Sequence, residues 1–241
     1  MTLSLSVAGS ADELATQVAE DLLLELARVQ ASGRDPHIGL TGGTIADVIH
    51  AEVARLTPGS GVDWTRVHVW WGDERFVAPD SPDRNAGLAR RTLLDVVGAT
   101  LVHEMPSTAQ AATADAGVTA YAAELRAHGA GEFDVLMLGL GPDGHIASLF
   151  PGFPQLDVDD DIAVGVTGSP KPPPERISLT FPALNRSRLV WFVVSGEGKA
   201  AAVARVLSPQ ADDVHTLPAL GVTGREQTVW YLDSPASSSL T

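Results

Sequence analysis

His37-Ile38-Gly39-Leu40-Thr41-Gly42-Gly43-Thr44, followed by Ile45, Val48, Ile49, Val53 and Leu56, is the stretch from which the fold is read. A short apolar run, a pair of glycines and then apolar residues at helical spacing describe a strand, a tight turn and an amphipathic helix. Upstream, Ser10 with Glu13 three residues later forms a capping-box signature, and Leu14, Val18, Leu22 and Leu26 recur at helical spacing until Gly33. Downstream the alternation continues. It predicts a strand over 67–71, helices over 88–97 and 108–125, and a buried strand over 134–140. Strands over 162–167, 177–181 and 189–194, a helix over 197–207 and a last strand over 228–232 complete it. Strands alternating with helices argue for an α/β fold with a mostly parallel sheet covered by helices on both faces. No internal repeat or linker is visible, and the proline-rich loop 169–175 is too short to separate domains, so residues 1–241 read as one domain. The Ser-rich tail 234–241 is expected to fray.

The chain has 241 residues, 44% of them hydrophobic, which suits one large domain with a sizeable core. Thirty acidic residues against sixteen basic ones give a net charge of -14. Such a field repels nucleic acid and anionic membrane surfaces, so an anionic ligand needs a local cationic pocket. The chain has no cysteine, which excludes disulfides, thiolate nucleophiles and cysteine-ligated metal centres. No apolar run approaches the roughly 20 residues that span a bilayer, and the N-terminus lacks a basic leader; the expected location is the cytoplasm.

Ligands of open parallel sheets gather at the carboxyl ends of the strands, so the segments that follow strands carry the chemistry. The turn Gly42-Gly43-Thr44 can cradle a phosphate on the N–H groups of the helix that it opens, or else the glycines simply make the turn with Thr44 as its cap. Gly72-Asp73-Glu74-Arg75 brings charges of both signs to the end of the next strand, as a solvated loop or as site residues. Gly139-Leu140-Gly141-Pro142-Asp143-Gly144-His145 follows the buried run Val135 to Leu138 and formally matches GxGxxG. A dinucleotide site is rejected, because Pro151 and Pro154 interrupt the helix that should follow and Pro142 stiffens the turn. What remains is a glycine-rich bend that presents Asp143 and His145. Lys171 and Arg176, around a run of prolines, are candidate anion ligands, with a solvated loop lysine as the alternative. Gly-x-Ser-x-Gly, a Walker A loop, His-Glu-x-x-His and histidine pairs at helical ligand spacing are all missing.

Taken in order, Leu40 to Thr44, Trp71 to Arg75 with Asn85 following, Gly139 to Gly152, Pro170 to Ile177 and Ser195 to Lys199 resemble the 6-phosphogluconolactonase family. The resemblance covers most of the chain. It implies a Rossmann-like α/β fold shared with glucosamine-6-phosphate deaminases, no metal and no organic cofactor. The implied activity is hydrolysis of 6-phosphoglucono-δ-lactone, a phosphosugar lactone, to 6-phosphogluconate by a carboxylic ester hydrolase of the oxidative pentose phosphate pathway. His145 would be the general base, with Asp73 orienting the imidazole or a substrate hydroxyl and Arg75 facing the phosphate or the oxyanion. Gly42, Gly43, Thr44, Asp143, Lys171 and Arg176 would form the substrate and phosphate site. The implied partner is this small molecule, with no nucleic acid and no membrane, in a monomer or a small homo-oligomer. Two departures from the family pattern stand out. Ile45-Ala46 replaces a Thr-Pro pair, and Leu149-Phe150-Pro151 replaces the Asn-Glu-Pro through which deaminase relatives assist ring opening. The alternatives are a glucosamine-6-phosphate deaminase or isomerase, or a non-catalytic sugar-phosphate sensor.

Overall fold

The computed structural model describes residues 2–128, 132–208 and 213–240. In chain order the main elements are β1 (Thr2–Ala8), α1 (Ala11–Ala31), β2 (His37–Leu40), α2 (Thr44–Leu56), β3 (His68–Trp71) and β4 (Asp73–Arg75). Then come α3 (Asn85–Ala89), continued by a π-turn (Arg90–Leu94) into α4 (Asp95–Val97), β5 (Leu101–Val102), α5 (Ala114–Ala127) and β6 (Val135–Leu138). The chain ends with β7 (Ala163–Val166), β8 (Arg176–Leu179), α6 (Phe181–Leu184), β9 (Leu189–Val194), α7 (Ala200–Val206) and β10 (Gln227–Asp233).

Seven strands form one parallel sheet in the order β1-β10-β9-β6-β2-β3-β5, as the strand and helix alternation predicts. From β5 to β10 this is the doubly wound order, with β2 and β6 at its centre. The chain leaves β2 toward β3 and leaves β6 toward β9, so the two connections diverge and open a crevice above the carboxyl ends of this pair. Burial explains why the central strands read as continuous apolar runs. Every residue of β6 and β9 is buried, as strands covered on both faces must be.

The caps set the helix boundaries. Ser10 Oγ accepts from the Glu13 N–H at 3.2 Å and Glu13 reaches back to the Gly9 N–H at 2.8 Å, so α1 starts where the capping signature says. The alanine-rich helix starts later than its composition suggests. Ser107 to Ala111 close as a turn on the Gln110 side chain, and Thr113 caps α5 by accepting from the Ala116 N–H.

Three differences from the sequence expectations stand out, and the first bears on the site. The segments 162–167 and 177–181 do not join the parallel sheet; as β7 and β8 they form a small antiparallel sheet with β4, which the charged run Asp73–Arg75 builds. Gly72 is the step between the two sheets, its carbonyl accepting from the Leu179 N–H at 2.8 Å. Second, β1 is a strand that the sequence reading passed over. Its Leu3, Leu5 and Val7 alternate in sequence but lie exposed on the sheet edge, so no continuous apolar run marks it. Third, the segment expected to fray is anchored at its start. Ala236 is fully buried and its N–H donates to Asp233 Oδ1 at 2.8 Å, a tie that serine content does not reveal.

Candidate active site

A cavity of about 240 Å³ opens at the crevice between β2 and β6, lined by the ends of both strands, by β4 and by the proline loop. Thr41 joins the two halves, its Oγ1 accepting from the Gly139 N–H at 3.3 Å. Gly43, in the left-handed region with φ 104°, starts α2, and no side chain caps this helix end. Thr44 is therefore the first helical residue and not the cap. The N–H groups of the first turn stay available to an anion at this end, where the helix dipole also favours negative charge.

The bend after β6 holds His145 through several contacts. The Gly141 N–H donates to the His145 carbonyl at 2.8 Å, and the Phe150 ring packs against the imidazole with centroids 4.6 Å apart. His145 Nδ1 lies 2.5 Å from Asp143 Oδ1, which leaves Nε2 for the cavity. A side chain at position 141 would collide with both the imidazole and the Asp143 carboxylate, so glycine is required there. Partial burial works against ionisation of Asp143, but the hydrogen bond and charge of His145 outweigh it and hold the carboxyl down at about 2, with Lys171 assisting. The carboxylate is therefore ionised throughout the neutral range and matches an imidazole that carries its proton on Nδ1. Ala147, which also lines the cavity, takes φ 46°, a strained conformation for a residue with a side chain.

Four cationic side chains, Arg75, Lys171, Arg176 and Lys199, line the same cavity as the imidazole, with Asp73 as the one carboxylate among the lining residues. The antiparallel pairing of β4 with β8 sets Arg75 beside Arg176. Arg75 Nη1 donates to the Asp83 carbonyl at 2.6 Å and to Asn85 Oδ1 at 2.9 Å, while its Nε is buried without a partner. The Arg176 guanidinium donates to the carbonyls of Lys171, Pro172 and Pro173 at 3.0–3.3 Å and so shapes the proline loop that carries Lys171. Burial lowers the Arg176 pKa, and the nearby Asp73 carboxylate, 3.9 Å away, opposes that shift. Lys199 Nζ donates to the Leu140 carbonyl at 2.5 Å; burial, together with Lys171, lowers its pKa. Glu74 points away from the cavity. Its buried carboxylate accepts the N–H groups of Arg75, Asn85 and Ala86 at 2.8–2.9 Å and locks β4 to the start of α3.

Of the residues expected at the site, Gly42, Gly43, Asp73, Arg75, His145, Lys171 and Arg176 line this one cavity. Thr44 does not; it lies on the far side of the glycine turn, in an adjoining hollow beside Val194 and Ser195. Asp143 is also not a lining residue, because it stands behind the imidazole. Asp73 makes no hydrogen bond or ion pair with His145. Its Oδ2 accepts from Ser148 Oγ at 2.6 Å, so Asp143 is the carboxylate that holds the ring.

Residues 9–230 match the family described as glucosamine-6-phosphate isomerases/6-phosphogluconolactonase. The chain belongs to this family. A protein named 6-phosphogluconolactonase from Streptomyces coelicolor is 41% identical over 238 residues, covering 94% of this chain and 90% of that protein. The structure of 6-phosphogluconolactonase from Trypanosoma brucei superposes with a TM-score of 0.87 at 25% identity, covering 100% and 99% of the two chains. A monomeric glucosamine-6-phosphate deaminase superposes with a TM-score of 0.80 at 18% identity over 99% and 100% of the chains, a likeness of fold alone.

Among the lining residues that were not expected at the site are Lys199 and Asn85, although both stand in segments that carry the family resemblance. Lys199 is one of only two lysines in the chain, a rarity that could have singled it out. Asn85 lies ten residues beyond Arg75, and only the fold brings its amide under Gly42, where a Cβ would collide with it.

Proposed function

We infer that this chain hydrolyses 6-phosphoglucono-δ-lactone to 6-phosphogluconate. The observation that carries the reading is an imidazole backed by an ionised carboxylate and sharing a small cavity at the strand crossover with four cations. Family membership narrows the substrate to a phosphosugar, and the relatives named 6-phosphogluconolactonase narrow it to the lactone.

In this mechanism His145 keeps its Nδ1 proton and donates a hydrogen bond through it to Asp143, while Nε2 takes a proton from a water molecule as the water oxygen bonds to the lactone carbonyl carbon, leaving an imidazolium. The negative charge that develops on the carbonyl oxygen is balanced by the cationic wall of the cavity. Collapse of the tetrahedral intermediate breaks the bond between the carbonyl carbon and the ring oxygen. The imidazolium returns its proton to that oxygen, giving the open-chain acid and neutral His145. Lys171, Arg75 and Lys199, with the N–H groups at the Gly42-Gly43 turn, hold the phosphate. Arg176 serves mainly by shaping the loop that presents Lys171. Asp73 accepts a substrate hydroxyl.

The net charge of -14 disfavours nucleic acid and anionic membranes as partners, while the four cations that line the cavity support a small anionic metabolite; the location that goes with this reading is the cytoplasm. The test is an assay of lactone opening corrected for spontaneous hydrolysis, run beside an assay of ammonia release from glucosamine 6-phosphate. Rapid lactone opening without ammonia is expected, and ammonia release without lactone opening would reverse the assignment.

A further inference from the structure

Away from the catalytic cavity, a row of histidines crosses the sheet at β2, β3 and β5. His37 and His68 open β2 and β3 as register partners, their rings stacked 4.2 Å apart. His68 Nδ1 lies 3.0 Å from His103 Nε2, just after β5. His103 Nδ1 in turn lies 2.8 Å from Glu124 Oε1 on α5, and His128 Nε2, one helical turn beyond Glu124, lies 3.4 Å from the same oxygen. One ligand atom from each of His103, Glu124 and His128 falls within 4.8 Å of the others. None of the three lines the catalytic cavity.

We propose that His103, Glu124 and His128 bind one divalent transition-metal ion, with zinc as the best match. The donor chemistry points there: two imidazole nitrogens and one carboxylate are an open zinc set, with solvent as the fourth ligand. Ligand bonds of about 2 Å in a tetrahedral site put neighbouring donor atoms a little over 3 Å apart, close to the spacings of the Glu124 oxygen from the two histidines. The surroundings fit as well. His103 is buried and its second nitrogen meets His68, the kind of outer contact that orients a metal-ligating ring. On metal binding, His103 Nε2 carries the proton and donates to His68 Nδ1, while Nδ1 turns from Glu124 to the ion. Glu124 and His128 have side-chain exposures of 43% and 47%, so the ion enters directly from solvent. The bound ion ties the edge of the sheet after β5 to the C-terminal turn of α5.

The experiment is calorimetric titration of ZnCl2 into chelator-stripped protein, with unfolding temperature followed in parallel. Variants His128→Ala and Glu124→Gln test the ligands, and His145→Ala controls for capture of zinc by the catalytic imidazole. The expected result is one zinc ion per chain, an unfolding temperature that rises with zinc concentration, and affinity at least about tenfold weaker in both ligand variants, since even outer-contact changes cost about that much. His145→Ala should keep the site. His128 ends a helix in solvent and glutamine preserves the shape of Glu124, so both variants are expected to fold, and lactone opening checks that they do. Cobalt(II) should give visible d–d absorption that His128→Ala abolishes. Absence of zinc binding, binding unaltered in both ligand variants, or binding lost in His145→Ala would each overturn the proposal.

Discussion

At the scale of single residues, the question is which carboxylate serves the imidazole. Asp143 and His145 share one bend, so their 2.5 Å contact is local and survives movement elsewhere. In Asp143→Asn the neutral amide no longer favours the proton on Nδ1, and kcat should fall about 10- to 100-fold with little change in KM. Steady-state kinetics checks this, and an unchanged kcat would remove Asp143 from the mechanism. The spacing of Asp and His two apart in a glycine bend was legible in the sequence, but the roles were not. Asp73 carries the same functional group at a strand end, and only the antiparallel pairing of β4 with β8 turns it toward Ser148 and Arg176. Gly141 gives a second prediction. Alanine there meets the His145 ring and the Asp143 carboxylate, so Gly141→Ala should cost more in activation free energy, read from kcat, than in unfolding free energy, read from urea titration.

Among the elements, β4 has the largest consequences for its length. It is three residues long, yet it supplies two lining side chains and, through Glu74, fixes the loop that ends in Asn85. Burial pushes the Glu74 carboxyl up, and three backbone N–H groups oppose that shift. Glu74→Gln replaces one acceptor by a donor facing these N–H groups and should cost about 2–4 kcal/mol in urea unfolding. The run Gly72 to Arg75 was ambiguous in the sequence because three successive charges describe a solvated loop as well as a strand. Burial of Asp73 and Glu74 comes from long-range pairing with β8, which no local pattern encodes. By contrast β2, α2 and β6 were readable, since apolar runs and a glycine turn are local signals. Segments 162–167 and 177–181 were readable as strands but not as members of a second sheet, because sheet membership is decided by which edge receives them.

For the whole molecule, one buried histidine links stability to pH. Burial alone lowers His50 from 6.5 to about 4, and its Nδ1 has no partner. Above pH 6.5 the ring is neutral whether folded or unfolded, and stability does not depend on it. Between 6.5 and about 4 the unfolded chain binds a proton that the folded chain refuses, so stability falls as pH falls and levels off below that window. The loss is on the order of 3 kcal/mol for this group. Urea unfolding at pH 7.5 and pH 5 should show a smaller loss in His50→Leu than in the parent, and equal losses would contradict the assignment. The same global view explains where the site lies. The strand order puts the crevice between β2 and β6, and every segment that lines it leaves a strand end or a neighbouring loop there. The four cations that line the cavity give it a local positive field inside a molecule of net charge -14. The most direct measurement is kcat for lactone opening by His145→Ala, corrected for the spontaneous reaction. A fall of about 10²–10⁴-fold with KM nearly unchanged is predicted, whereas turnover close to that of the parent would contradict proton transfer by this imidazole.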